Sequence, residues 1–251
     1  NSVTFTSVKM HPLFDIYYYN QHDSLVSDIN NAELDFGLRF AYREKFLFDN
    51  YRRYSLGTSY PVINFHYKVG IPDVGSSDFK YTAFEFSIDD YFLLGSFGAT
   101  DYSIKAGKVY GNLPTLLLES PPGNETYFMN HGNFNLMNEY EFVMDTYAEL
   151  FLPHSFHGFF LNKIPLIQKL KLREVATFKM VYGKLSADNA AANNYLKNVE
   201  PFYIGNAAPS PKPYMEAGIG VENIFKLIRV DAIWRLSYRN NPLAPNFGVR
   251  V

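Results

Sequence analysis

Two groups of side chains in this chain have the types and spacing that chemistry would need. The first is His154, Ser155 and His157 in the run LPHSFHG. Nucleophilic catalysis requires a base within hydrogen-bond reach of the hydroxyl and a third group to orient that base. His154 and Ser155 are adjacent, so on a strand they point to opposite faces. His157 shares the parity of Ser155 but falls near a presumed turn. The reading preferred for the three is a polar patch at an interface. The same histidines and the nearby acids lack the spaced ligand set of a metal site. With no Cys in the chain there is no thiolate site and no disulfide framework.

The second group is charged. Glu139, Glu141, Asp145 and Glu149 share one parity, and Lys171, Arg173 and Lys179 share one parity further on. Paired carboxylates can do acid–base work, but the elements that must hold these residues favour a structural role. From Glu139 to Leu152 acidic and apolar positions alternate, with Tyr140, Phe142, Met144, Ala148, Leu150 and Leu152 opposite the acids. After Pro165 the pattern returns with the sign reversed, and Leu170, Leu172, Ala176, Phe178 and Met180 lie opposite the cations. A strand turns successive side chains to opposite faces. An acidic strand beside a basic one, each backed by an apolar face, describes a barrel with a charged interior and an apolar exterior. Glu216 and Glu222 against Arg229, Asp231 and Arg235 repeat the arrangement. We expect all of these charges to form a ladder along a barrel lumen, holding strand register.

Composition agrees. Aromatic residues make up 18% of the chain, an enrichment that suits strands and rings placed at a membrane–water boundary. A net charge of -2 offers no bulk attraction for nucleic acid, and no partner of that kind is expected. No apolar run approaches the roughly 18 residues of a membrane helix, whereas a spanning strand needs only about 9–11 residues of alternating character. The chain begins without Met and reads as strand from Val3, so we expect it to be part of something longer. No linker-like shift in composition divides it, and 1–251 is taken as one domain.

About ten strands are expected, several near a dozen residues long. Long connections are predicted near 10–33, 111–137 and 185–212, with shorter ones of the same set at 72–78 and 240–245. The alternate connections, at 50–59, 95–100, 162–168 and 224–226, are compact, with a bend at Pro153. Short turns at one end and longer loops at the other are the asymmetry of outer-membrane barrels. The loop from 111 to 137 is the best functional candidate. Leu113, Pro114 and Leu117 make it apolar, Pro121 breaks it, and Asn124 begins a polar tip. It reads equally as a lumen plug and as a partner-contacting or gating element. Gly111 and Gly123 do not form a phosphate cradle, since no Gly-rich loop leads into a helix.

Several stretches resemble a known family. They are LRFAYREKFLF (38–48), SLGTSYPVINFHYKVGI (55–71), AGKVYGNLPTLLLESPPGNETY (106–127), FNLMNEYEFVMDTYAEL (134–150), NKIPLIQKLKLREV (162–175) and GIGVENIFKLIRVDAIWRLSY (218–238). They are similar to the C-terminal region of an uncharacterised family of Bacteroidota outer-membrane proteins, in which a carboxypeptidase-regulatory-like sandwich usually precedes a barrel. That barrel is in turn similar to the C-terminal half of BamA- and TamA-type insertases. The resemblance implies a larger barrel of which this chain supplies the later strands. Insertases carry an Arg-Gly-Phe-like tip on a long loop that folds into the lumen. Here no Arg or Lys occurs between Lys108 and Lys163, which speaks against an insertase mechanism. The chain also ends in Val251 rather than a terminal aromatic residue.

The expectation is therefore an all-β fold, an antiparallel transmembrane β-barrel of about ten strands, and a non-enzymatic role in envelope biogenesis or transport. It acts alone or as a subunit of an outer-membrane assembly or secretion complex. Outer-membrane lipids and other outer-membrane proteins or lipoproteins are the expected partners, with no cofactor. A soluble β-sandwich binding module and an outer-membrane hydrolase are the rivals. Glu139 and Lys171 in solvent, with Phe142 and Phe178 in a dry sandwich core, would favour the sandwich.

Overall fold

The alternation of apolar and polar residues becomes a single antiparallel sheet in the computed structural model, which describes residues 1–10, 18–19, 25–26, 28–49, 51–193, 208–209 and 211–251. The strands of this sheet are β1 (Ser2–Met10), β4 (Ile29–Ala41), β7 (Val62–Gly70), β8 (Tyr81–Leu93), β9 (Ala99–Tyr110), β10 (Thr146–Ser155), β11 (Arg173–Lys184), β12 (Tyr214–Ile224), β13 (Ile228–Arg235) and β14 (Phe247–Arg250). Among the described residues there are two further short pairs: β2 (Tyr18–Tyr19) with β3 (Leu25–Val26), and β5 (Phe46–Asp49) with β6 (Arg52–Ser55). The ten-stranded sheet runs β1-β4-β7-β8-β9-β10-β11-β12-β13-β14, each strand antiparallel to the last. It is open, with β1 and β14 as its edges.

Parity decides the two faces as expected. On β4, Asn31, Glu33 and Asp35 face one side, and Leu34, Phe36, Leu38 and Phe40 face the other. The polar side is the concealed one. Glu216 and Arg235 are each 2% exposed, whereas Phe40 is 62% and Ile219 60% exposed. This is the reverse of a soluble domain, where charges are almost never fully buried unless paired.

Strand number and the sides of the connections match the reading of the sequence, but three stretches differ. The segment 138–145 is not strand. β10 begins only at Thr146, so Glu139, Glu141 and Asp145 sit on a loop rather than on the wall. Lys171 ends a 3-10 turn (Ile167–Leu170) in the left-handed conformation and lies exposed at the tip of a link rather than in the lumen. That link, 156–172, holds two 3-10 turns in place of one tight turn, and 42–61 carries the extra hairpin β5–β6. Period-two patterning cannot separate a strand from an extended loop that buries alternate residues. The bend at Pro153 is a gap in pairing: β10 stays paired to β11 there, but the ladder to β9 skips Leu152 and Pro153. Proline has no N–H to donate. Much of the long connections 11–28 and 185–213 lies outside the described residues.

The core lies inside the curve of the sheet, between its polar face and the loop 111–145. One cluster joins Ile29, Phe79, Tyr81, Leu113, Leu118 and Val143. A second joins Phe134, Met137, Phe142, Met144, Tyr147, Val181 and Tyr214. Phe142 is therefore in a dry core, and Glu139 and Lys171 are exposed, as the sandwich rival expects for those three residues. The core is nonetheless made by a loop against one sheet, and Phe178 lies on the opposite, outward face of β11.

Candidate functional site

The loop 111–145 is the element around which the buried charges are arranged. It enters from β9, where the Val109 amide donates to the Asp145 carbonyl at 2.7 Å. It then folds on itself: Glu119 and Met144 exchange both backbone bonds, and the Asn124 amide donates to the Met137 carbonyl at 3.0 Å. Asn124 organises the tip, donating to the Phe128 carbonyl and Asn135 Oδ1 and accepting from the Thr126 hydroxyl. Tyr127 and Met129 exchange backbone bonds with Val251, so the tip reaches the end of β14.

The wall grips the backbone of this loop with charges. Glu216 accepts the Asn135 and Leu136 amides at 2.8 and 3.1 Å. Lys179 donates to the carbonyls of Asn130, at 3.1 Å, and Asn133. Arg250 donates to the Asn135 carbonyl at 2.7 Å. Arg235 donates to the Leu136 carbonyl at 3.1 Å and forms a two-pronged ion pair with Glu141 of the loop, whose other partners are the Asn138 amide and Asn241. Two-pronged arginine–carboxylate pairs fix orientation as well as adding energy. At the other flank, Lys105 on β9 bridges Glu119 of the loop at 2.7 Å and Glu149 of β10 at 3.4 Å.

The helix α1 (Ala187–Ala192) clamps the root of the loop. Its Ser186 cap accepts from the Asn189 amide. Asn189 Oδ1 accepts the Leu113 amide at 2.9 Å, and Asn193 accepts the Thr115 amide while donating to the Leu113 carbonyl. Asp145 completes the clamp, accepting from the Ser186 amide at 2.7 Å and Asn189 Nδ2 at 3.1 Å. Burial opposes the charge of Asp145, and bonds from Ser186, Asn189 and Thr146 outweigh it, holding its carboxyl below the usual aspartate range. Glu139 behaves oppositely: burial, and then the charge of Glu125, raise its carboxyl above the usual range. Burial and the adjacent Arg229 guanidinium, 2.9 Å away, keep the His131 imidazole below its ordinary value.

A cleft of about 240 Å³ remains between loop and wall, lined by Glu33, His66, Lys68, Glu85, Glu119 and Tyr147 among others. Its carboxylates are already engaged, Glu33 by Tyr81 and Glu85 by Tyr147.

The expected ladder is thus partly redrawn. Lys179 stands opposite Glu216 at 4.0 Å, Arg173 opposite Glu222 at 3.9 Å, and Arg229 beside Asp231 at 2.6 Å. Glu216 and Arg235 are partners in register, but each turns most of its hydrogen bonds to the loop, Glu216 keeping one from the Tyr214 hydroxyl and Arg235 one to the Ser237 carbonyl. Glu149 lies across from Val181 and pairs with Lys105, not with the basic strand. Glu139 and Lys171 stand apart from the lumen charges. Of the loop residues singled out, Leu113, Pro114, Pro121 and Asn124 are buried and Leu117 is half-buried. Arg250, Asn135, Asn189 and Asn193 escaped sequence reasoning; only the inward parity of Arg250 on β14 pointed to any of them. His154 and Ser155 do face opposite sides. His154 bonds Thr100 at 2.7 Å and the Phe97 carbonyl at 3.0 Å, and His157 is exposed.

Comparison with known proteins places this geometry. Residues 9–188 match the profile described as the family of unknown function (DUF5686) C-terminal domain. Among solved structures, BamA from Haemophilus ducreyi lacking POTRA domains 1–3 is similar in fold, with a TM-score of 0.57 at 13% identity. The likeness covers 98% of this chain and 49% of that one, so the chain spans about half the length of its structural neighbour. No curated protein matches.

Proposed function

Because the chain belongs to the DUF5686 family through its C-terminal domain, and that domain has the fold of a BamA-type barrel, we propose that it is the later part of an integral outer-membrane barrel in a Bacteroidota envelope. Its role is non-enzymatic, in envelope biogenesis or transport, as a plugged barrel or as a subunit of an assembly or secretion complex. The observation that carries the reading is polarity. Arg235, Glu216, Lys179 and Asp231 are buried on the face that holds the loop, while Phe36, Leu38, Phe40, Ile219 and Trp234 are exposed on the other. Contiguous apolar surface of this extent needs a cover, and lipid covers it without a second sheet.

The loop supports a plug rather than an insertase tip. Its ion pair with the wall has the cation on the wall and the carboxylate on the loop. The test is fractionation. The full protein is expected in the membrane fraction, extractable only with detergent, and to shift in gel mobility on heating. Folded protein recovered without detergent would return the sandwich reading. Proteins retained by the detergent-purified barrel would name the complex, and recovery of the barrel alone would favour the solitary plugged form.

A further inference from the structure

The two ends of the sheet carry opposite charge. At the end with the compact connections, the link 42–61 bears Arg43, Lys45, Arg52 and Arg53. The link 156–172 bears Lys163, Lys169 and Lys171 with no acid, and Lys226 lies in the turn 225–227. These eight cations face two acids, Glu44 and Asp49, and Glu44 is already held by both guanidinium nitrogens of Arg39 at 2.8 Å. The connections at the other end are acidic as a set, with twelve acids and four Lys or Arg: 111–145 has five acids and 11–28 three, neither with a Lys or Arg, while 185–213 is balanced and 236–246 has Arg239 alone.

The cations are interleaved with exposed apolar side chains. Phe48 is 74%, Leu166 82% and Leu227 91% exposed. Arg53 lies over the Phe46 ring at 3.3 Å, Lys163 over Phe159 at 3.8 Å, and Arg43 over Tyr42 at 5.3 Å. Tyr42 packs edge-on against Tyr60 where β4 and β7 leave the sheet. The hairpin β5–β6 projects beyond them with both faces exposed, although two strands alone are marginal in water. Rings at a strand end mark the interfacial layer, and long basic side chains just beyond them reach headgroups while their stems rest on apolar surface.

We propose that this end is a collar for anionic phospholipid, with the β5–β6 hairpin and the 156–172 link lying in the headgroup layer and binding headgroup phosphates. The proposal rests on the membrane-barrel reading. Charge complementarity selects an anionic leaflet, and juxtamembrane Lys and Arg draw such lipid by on the order of fivefold per side chain.

The chain has no Cys, so one introduced thiol can carry a fluorophore. The full protein with Tyr51→Cys, labelled and placed in phosphatidylcholine nanodiscs, would be quenched by brominated phosphatidylglycerol or brominated phosphatidylcholine at matched fractions. Preferential quenching by phosphatidylglycerol is expected, fading with salt. The combined Arg43→Ser, Lys45→Ser, Arg52→Ser and Arg53→Ser variant should lose it, and a label at Asp73→Cys on the other end should not show it. A second variant, Lys163→Ser with Lys169→Ser and Lys171→Ser, should reduce it independently. Equal quenching by both lipids at low salt, or a preference indifferent to these substitutions, overturns the collar and leaves the barrel standing. No quenching of the Tyr51 label by either lipid also overturns the collar, whereas failure of the protein to enter the nanodiscs at all overturns the barrel reading and the collar with it.

Discussion

Arg235 is the residue on which the loop depends most. Its guanidinium is buried, and its partners are the Glu141 carboxylate and two main-chain carbonyls, those of Leu136 and Ser237. Removing one member of such a pair strands the other charge, at a cost of about 3–5 kcal/mol. Arg235→Ala is expected to lower stability by that amount in detergent unfolding, and Glu141→Gln by less, since the amide keeps part of the bonding. The double replacement Glu141→Leu with Arg235→Leu should cost less than the two single losses together, because no unpaired charge remains. Asp145 adds a pH dependence. Its folded carboxyl lies below its unfolded value, so its contribution is present above the unfolded aspartate range and is lost as pH falls through the folded value. Protection of the Ser186 and Asn189 amides, measured as exchange relative to the intrinsic rate at each pH, should fall as the solution is acidified, and Asp145→Asn should flatten that response.

Glycine and asparagine, beside the two apolar clusters, let the elements meet closely. An added Cβ on Gly107 of β9 would come within 2.5 Å of the Tyr147 ring and hydroxyl and 2.8 Å of the Phe84 carbonyl. Gly70 is overlaid by Tyr81 in the same way, at 2.2 Å. Each glycine makes room for a tyrosine of the neighbouring wall whose hydroxyl then bonds an inward glutamate. Gly107→Val should displace Tyr147 and destabilise by about 1–3 kcal/mol in urea unfolding, the usual cost of overpacking. The α1 clamp is the second such meeting. Asn193→Ala leaves the Thr115 amide without its partner, and limited proteolysis near 113–118 should speed up while the strands stay protected. The loop-to-strand boundary at Thr146 belongs to this scale too. The same alternation runs through 139–152; a turn at 138–141 with Tyr140 left-handed, the pairing of Met144 with Glu119, and packing of Phe142 and Met144 in the cluster with Tyr214 and Val181 separate loop from strand.

For the whole molecule, the connections set the sidedness of the proposed barrel. The two longest connections, 111–145 and 185–213, lie at one end and the two shortest, 94–98 and 225–227, at the other; 11–28, 71–80 and 111–145 are acidic, whereas 42–61, 156–172 and 225–227 are basic. With the short-connection end toward the periplasm, Asp73→Cys should react with an impermeant thiol reagent in intact cells. Tyr51→Cys should react only after the outer membrane is opened. Reaction of both, or the reverse order, would contradict this orientation.

Much of this was legible in the residues themselves. Strand number and the inward and outward faces follow from period two, because a pleated strand has only two directions for a side chain; the lengths of 42–61 and 156–172 did not, because an extra hairpin and two 3-10 turns extend them. Parity set Glu216 and Glu222 against Arg229 and Arg235, and the cations of β11 against the acids of 139–149; that Lys179 and Arg173 instead stand opposite Glu216 and Glu222 emerged only with the register of β11 on β12. The tertiary structure alone decided what the remaining charges hold. A glutamate that accepts two loop amides and one that pairs across a ladder have the same sequence neighbourhood. Loop 111–145 carries no periodic signal for where it folds back, so its grip by Glu216, Lys179, Arg235 and Arg250 arises only when distant segments share one lumen.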